Sequence, residues 1–179
     1  MKKILGVLLC VWLMFSMTAC TWLTKPLPLV FTEDALSITL DDSFEDMDSQ
    51  EHDACFVSKR QNIAVNVTKE EFYLFENEGV DGEDEEATTE MTLTLASYGQ
   101  LCIAEHPNSS SLQTKHSLTY FTYEAEVEEV AFTYITVLYA SEDAFWRVQF
   151  ICPTKDASQK QETLFSFAQS VVFESQKTA

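Results

Sequence analysis

Glycine is scarce in this chain, with four in 179 residues, and this scarcity excludes several classes of enzyme. One of the four lies in an apolar N-terminal run, which leaves Gly79, Gly82 and Gly99. These three cannot form a G-x-G-x-x-G dinucleotide fingerprint or a phosphate-binding loop. The sequence also lacks H-E-x-x-H, G-x-S-x-G and S-x-x-K, the signatures of zinc proteases, serine hydrolases and penicillin-binding enzymes. We therefore expect a non-catalytic protein.

Basic residues are also scarce, with 11 Lys and Arg against 29 Asp and Glu. Without Lys2 and Lys3 at the N-terminus, the counts are 9 and 29, a net charge of −20. Nucleic-acid binding depends on neutralising phosphates with basic side chains, so this balance excludes nucleic acid as a partner. It also opposes docking on anionic lipid headgroups, so attachment to a membrane needs a covalent lipid or an inserted segment.

The N-terminus has the parts of a secretory signal: a basic start, the uncharged run 4–19, and small residues before Cys20. A spanning helix needs roughly 20 apolar residues, more than this run supplies. Ala19 followed by Cys20 resembles the lipobox of bacterial lipoproteins. The resemblance implies cleavage before Cys20 and a lipid anchor on its sulfur, a diacylglycerol thioether with palmitate as an acyl chain. The alternative is an uncleaved membrane anchor.

These features divide the chain into four predicted parts. We expect a signal peptide over 1–19, a lipidated cysteine and tether over 20–33, a single domain over 34–175, and a polar tail over 176–179. A domain of this length buries enough surface to fold without staples. We expect the protein to lie at the extracytoplasmic face of the cell membrane and to be a monomer.

Three cysteines follow Cys20, and an odd number allows at most one disulfide among them. We interpret Cys102 and Cys152 as small buried hydrophobic residues. A disulfide between them is the alternative, because the cell envelope permits one.

The hydrophobic pattern predicts an α+β domain whose antiparallel sheet of about six strands has helices packed on it. Alternating apolar residues indicate strands, and apolar residues three and four apart indicate helices. The predicted strands are 36–40, 54–59, 62–68, 118–127, 130–140 and 144–151. The predicted helices are a short one at 69–77, a long one at 88–105, and one opened by a capping box of Ser158 and Gln161, with a polar loop over 108–117.

The order of these elements and the ending of the chain resemble the PsbP/Mog1-like fold, an α/β/α sandwich. The apolar spacing that carries the resemblance is Leu164-x-x-Phe167-Ala168-x-Ser170-Val171-x-Phe173. That fold occurs in photosystem subunits, a Ran-binding protein and many uncharacterised lipoproteins. The resemblance therefore implies a fold for 34–175 without implying one function.

An acidic loop is a candidate divalent-cation site. Carboxylate oxygens beside a glycine suit Ca²⁺, although their order does not match an EF-hand loop. The candidate ligands are Asp81, Glu83, Asp84, Glu85 and Glu86. The alternative is a solvated loop, and we expect no cofactor other than the lipid on Cys20.

Lys59 and Arg60 form a paired basic charge in an acidic protein, and they are a candidate contact for an acidic partner. A solvated hairpin turn explains the pair equally well.

The leading hypothesis is a lipid-anchored module that binds another envelope protein or a ligand. The alternatives are a cation sensor that uses the loop 81–86, and an enzyme or metal site formed only in three dimensions. That last site would use His52, His106 or His116 with scattered carboxylates.

Overall fold

In its described part, the chain forms two antiparallel sheets, with helices on both faces of the larger one. The computed structural model describes residues 26–72 and 93–174. In chain order the strands are β1 (Pro28–Glu33), β2 (Leu36–Asp41), β3 (Glu45–Asp46), β4 (Ala54–Ser58), β5 (Ile63–Glu71), β6 (Gln113–Lys115), β7 (Leu118–Val127), β8 (Val130–Ala140), β9 (Ala144–Pro153) and β10 (Val172–Phe173). The helices are α1 (Leu95–Ala104) and α2 (Thr154–Gln169).

The larger sheet has the order β3-β4-β5-β9-β8-β7-β6, and the smaller sheet has the order β1-β2-β10. Every strand pair in both sheets is antiparallel. The predicted fold class, α+β with helices packed on an antiparallel sheet, is confirmed. The smaller sheet was not predicted.

One face of the larger sheet is apolar along its length. Alternate residues of β9 point into this core, and Trp146, Val148 and Phe150 are fully buried there. The helix α2 covers them with Leu164 and Phe165, and the smaller sheet adds its own apolar residues. Burial of so many large side chains on one face makes it the main source of stability of the domain.

The helix α1 packs on one end of the opposite face. Tyr98 and Cys102 of α1 contact Phe121, Leu138 and Phe145 of the sheet. The rings of Tyr98 and Phe145 stack with their centroids 4.5 Å apart. Since α1 and α2 lie on opposite faces, the architecture is the predicted α/β/α sandwich.

The buried cysteines lie on different faces of the sheet. Cys102 belongs to the cluster under α1, and Cys152 belongs to the cluster under α2. Both are free, as is the half-buried Cys55. Their burial agrees with the interpretation of Cys102 and Cys152 as small hydrophobic residues.

The strand β1 corrects the predicted tether over 20–33. Pro28–Glu33 pairs with β2 along its whole length, so the described sheet begins six residues before position 34. Pro28 is tolerated because it is the first residue of an edge strand. Phe31 fixes the strand to the core through its ring, which lies 4.6 Å from that of Phe56.

Two predicted helix boundaries are also wrong. Residues 69–71 belong to β5 and not to a helix, because their backbones pair with β9 as far as Glu71, which lies opposite Ala144. Residues 73–77 of the predicted short helix lie outside the described residues. The long helix starts at Leu95, where the Oγ1 of Thr94 accepts a hydrogen bond from the backbone N–H of Ser97 at 3.1 Å. Residues 88–92 lie outside the described range.

The helix α2 starts earlier than its predicted capping box. It begins at Thr154, directly after the last residue of β9, so Ser158 and Gln161 lie within it. The N-cap position is Pro153, which forms no side-chain capping bond. Residues 113–115 of the predicted loop form β6, which pairs with β7. Within 26–72 and 93–174, neither helix is long and apolar enough to cross a bilayer.

Candidate functional site

Polar side chains line the larger sheet beyond the end of α1. The strand register places Asn66 opposite Gln149, and Thr68 opposite Arg147. Partners in an antiparallel pair point to the same face. These four side chains therefore form a polar block on two central strands, where a helix-covered face normally carries apolar residues.

A loop, the end of α1 and the strand β7 complete a concave site around this block. It has a volume of about 210 Å³, and we call it the polar cleft. Its lining residues are His52, Asn66, Thr68, Glu105, His106, Tyr123, Arg147 and Gln149.

His52 is held by hydrogen bonds at both ring nitrogens. The side-chain N–H of Asn66 donates to Nε2 at 2.9 Å, and Nδ1 lies 3.2 Å from the hydroxyl oxygen of Thr68. Because Nε2 accepts, the ring proton lies on Nδ1 and donates to Thr68. The two bonds hold the imidazole of His52 in one orientation in the cleft.

Arg147 is balanced by two carboxylates from different elements. Its guanidinium contacts Glu70 of β5 at 2.6 Å and Glu105 beyond α1 at 3.0 Å. The first contact lies within the sheet, and the second fastens the end of α1 to the sheet. Since one cation faces two anions, the cleft does not present an unpaired positive charge to a ligand.

A column of aromatic rings forms the other wall of the cleft. His106 stacks on Tyr123 with centroids 4.1 Å apart, and Tyr123 stacks on Tyr134 at 4.5 Å. Gln149 donates to the hydroxyl of Tyr123 at 3.0 Å and fixes the middle ring. Burial lowers the pKa of His106, against the opposing effect of Glu105. His106 is therefore neutral at physiological pH.

The cleft combines flat aromatic surface with neutral hydrogen-bonding groups. Amides, hydroxyls and two imidazoles can bind a polar ligand, and the stacked rings can contact its flat side. Within residues 26–72 and 93–174, no three His, Cys, Asp or Glu side chains are placed to hold a metal ion.

A second cavity, of about 270 Å³, lies between β10 and the turn that joins β8 to β9. Beside it, the Nζ of Lys69 contacts Asp34 at 2.7 Å and Asp143 at 3.4 Å, and lies 5.5 Å from the ring centroid of Trp146. The hydrogen bond to Asp34 raises the pKa of Lys69 despite its burial. This cluster joins the two sheets, so we assign it a structural role.

The three histidines that were candidates for an enzyme or metal site lie in two different places. His52 and His106 both line the polar cleft. His116 lies apart, in the turn between β6 and β7, with its Nε2 3.7 Å from a carboxylate oxygen of Glu162.

The basic pair lies in the turn between β4 and β5, as predicted. Arg60 contacts Asp42 at 3.2 Å and Asp41 at 3.7 Å, so its charge is already partnered, while Lys59 is exposed. Cys20 and the acidic loop 81–86 lie outside the described residues. The lipidation, calcium and partner-binding assignments all stay predictions.

Sequence reasoning missed Tyr123, Arg147 and Gln149 as site residues. The available signal was the pattern of β9, where Arg147 and Gln149 interrupt one face of a strand that is apolar on the other. A polar face on a central strand indicates either a buried network or a binding site.

Comparisons with known proteins identify fold relatives only. No protein-family model matches the chain, and no curated protein matches it. A solved structure from Bacteroides thetaiotaomicron is similar with a TM-score of 0.54 and 10% identity; the match covers 86% of this chain and spans half, 50%, of that protein.

Two further solved structures have TM-scores of 0.48. Cyanobacterial PsbP from Synechocystis is 10% identical, with 86% of this chain and 96% of that one covered. LpqN, involved in cell envelope biogenesis of Mycobacterium tuberculosis, is 11% identical, with 84% and 91% covered. None of these likenesses says what this chain binds, because one fold hosts unrelated functions.

Proposed function

We propose that this protein is a lipid-anchored, non-catalytic binding module of the cell envelope, and that its ligand or protein partner docks in the polar cleft. The observation that carries the proposal is the cleft itself. Three strands, a loop and the end of α1 place polar groups on a sheet face where apolar residues would stabilise the domain more. The signal pattern before Cys20 supports the location.

The chemistry of the cleft narrows the kind of ligand. Because Glu70 and Glu105 balance Arg147, we expect a ligand or peptide segment without net negative charge. Hydrogen bonds to Asn66 and Gln149 would orient it, and the stacked rings would contact a flat group such as a sugar ring or an amide.

The three histidines offer a direct test of the cleft. Their imidazole C2 protons give separate NMR resonances, assigned by replacing each histidine with Ala in turn. On addition of soluble peptidoglycan fragments or envelope extract, we expect the His52 and His106 resonances to shift. His116, outside the cleft, is the matched control. Equal shifts at all three positions, or none at any, would contradict a ligand site in the cleft.

A protein partner is tested by photo-crosslinking in intact cells. A benzophenone amino acid at position 106 should give one discrete crosslinked product, and the same group at position 116 should not. Identical products from both positions would mean that capture is non-specific.

The lipid anchor has its own experiment. Cys20→Ala should release the protein from the membrane fraction and abolish incorporation of labelled palmitate. Continued retention of Cys20→Ala in membranes would show that residues 4–19 remain as an uncleaved anchor.

An enzyme is the second candidate, because the cleft gathers two imidazoles with the carboxylate of Glu105. A neutral His106 can act as a general base. This candidate predicts hydrolysis of an ester, amide or phosphate substrate that His106→Ala abolishes and His116→Ala preserves. We expect no such turnover.

A further inference from the structure

Exposed apolar side chains are concentrated where the described chain begins. Leu27, Leu29 and Val30 have 66%, 44% and 67% of their surface exposed. We call these three residues the β1 apolar edge. Elsewhere in the described residues the large exposed apolar side chains are separate or in one pair: Met47, Leu101, Val127, Val130 and Val172. Successive strand residues point to opposite faces, so Leu29 and Val30 flank the edge of β1 from its two sides. Exposed apolar side chains gathered at one place in a fold mark a candidate interaction surface.

The position of β1 in the sheet leaves this surface available. In the described part of the chain, β1 pairs with β2 alone, so it is an edge strand. An exposed apolar edge is a ready contact for another strand or an apolar phase. Pro28 lacks an N–H donor, which makes β1 a poorer template for pairing with another strand.

The short chain between Cys20 and Leu27 limits how far the β1 apolar edge can lie from the proposed lipid anchor. Leu27 follows Cys20 by seven residues, and an extended chain spans at most about 3.5 Å per residue. The two positions therefore lie within about 25 Å of each other, less than the width of a domain of this size. A lipid on Cys20 would keep the β1 apolar edge beside the membrane surface.

We propose that the β1 apolar edge rests on the lipid bilayer and fixes the orientation of the domain; this rests on the anchoring given under the proposed function. The occupant is the lipid–water interface, where exposed Leu and Val side chains gain by leaving water. Charge does not supply the contact, because the acidic chain is repelled by anionic headgroups. The contact holds one side of the domain down and keeps the rest accessible from outside.

Fluorescence quenching by brominated lipids tests this contact. The full chain, purified from membranes, is placed in phosphatidylcholine vesicles whose acyl chains carry bromine. A tryptophan reporter is introduced by Val30→Trp, and its matched control is Val127→Trp in the β7–β8 hairpin, where the native valine is 50% exposed. Both variants carry Trp12→Phe and Trp22→Phe, and the remaining Trp146 is fully buried.

We expect the reporter at position 30 to lose most of its fluorescence and the reporter at position 127 to keep it. Flotation with the vesicles, read on the same samples, reports attachment separately. If the protein floats and position 30 is not quenched, the orientation is wrong while the anchor stands. If it does not float, both fail. A blue shift at position 30 without vesicles, growing with protein concentration, would show that a second copy covers the edge instead.

Discussion

The two faces of the larger sheet are built from the same strands and serve different ends. On β9, Val148 and Phe150 are fully buried under α2, whereas their neighbours Arg147 and Gln149 are half-buried in the polar cleft. Alternation along one strand thus separates a face that holds the domain together from one that holds polar groups in place. We therefore expect substitutions one residue apart to differ strongly in their effect on stability.

The largest expected difference in stability is between substitutions at two adjacent residues, Phe150 and Gln149. Phe150→Ala removes a fully buried ring and should lower the free energy of unfolding by about 4 kcal/mol. Gln149→Ala loses its hydrogen bonds to Tyr123 and Thr136 and should cost about 1 kcal/mol. Urea unfolding measures both. Equal losses would show that the cleft face is as structural as the apolar one.

Arg147→Met removes the guanidinium that lines the cleft and keeps the aliphatic stem. The substitution leaves Glu70 and Glu105 without their cation, so we expect the free energy of unfolding to fall by about 2 kcal/mol. A fully buried ion pair would cost more, but these side chains are partly exposed to solvent. The double variant with Glu70→Gln should recover part of it. An unchanged unfolding midpoint for the single variant would mean that the ion pairs contribute nothing to stability.

Tyr139→Phe tests a hydroxyl that anchors the end of α2 from the apolar face. Its O–H donates to the carbonyl of Ala168 at 2.7 Å, near the end of the helix. We expect a loss of about 1 kcal/mol in urea unfolding. Tyr120→Phe, whose hydroxyl binds Gln113 in the short edge strand β6, is the control and should cost less. If Tyr120→Phe lowers the free energy of unfolding more than Tyr139→Phe does, the hydrogen bond from Tyr139 to α2 is not the more stabilising of the two.

The smallest effect is a pH dependence from the cleft. Burial lowers the pKa of folded His106, so below its unfolded pKa of about 6.5 the unfolded chain binds more protons. Stability from this group is therefore complete above that pH and falls as acid is added. We expect the stability advantage of wild type over His106→Gln to shrink between about pH 8 and about pH 5. If the free energies of unfolding of wild type and His106→Gln change in parallel with pH, this prediction is wrong.

The fold was predictable where alternation was clear. The three strands after residue 117 and the hairpin of β4 and β5 alternate strongly, and the structure has them close to the predicted bounds. The strand β1 was missed because prolines and consecutive apolar residues hide its period. The start of α2 was missed because it follows β9 without a loop or a capping side chain, so no local signal marks it.

The site was less predictable than the fold, because its parts are distant in sequence. His52 and His106 were candidates by residue type, but only the pairing of β5 with β9 shows which groups lie beside them. Arg60 shows what a sequence motif leaves out: in the fold its guanidinium pairs with Asp41 and Asp42, which are about 18 residues away in sequence, and its role in binding a partner stays a prediction.

The strand order also constrains how the domain folds. The centre of the larger sheet joins β5 to β9, from opposite halves of the chain, and the smaller sheet joins β2 to β10, near its two ends. Such long-range pairing requires closure of large loops before contacts form, which slows folding. Until residues 144–153 pair with it, β5 has β4 on one side only and its other edge stays open. We therefore expect the centre of the larger sheet to form late in folding.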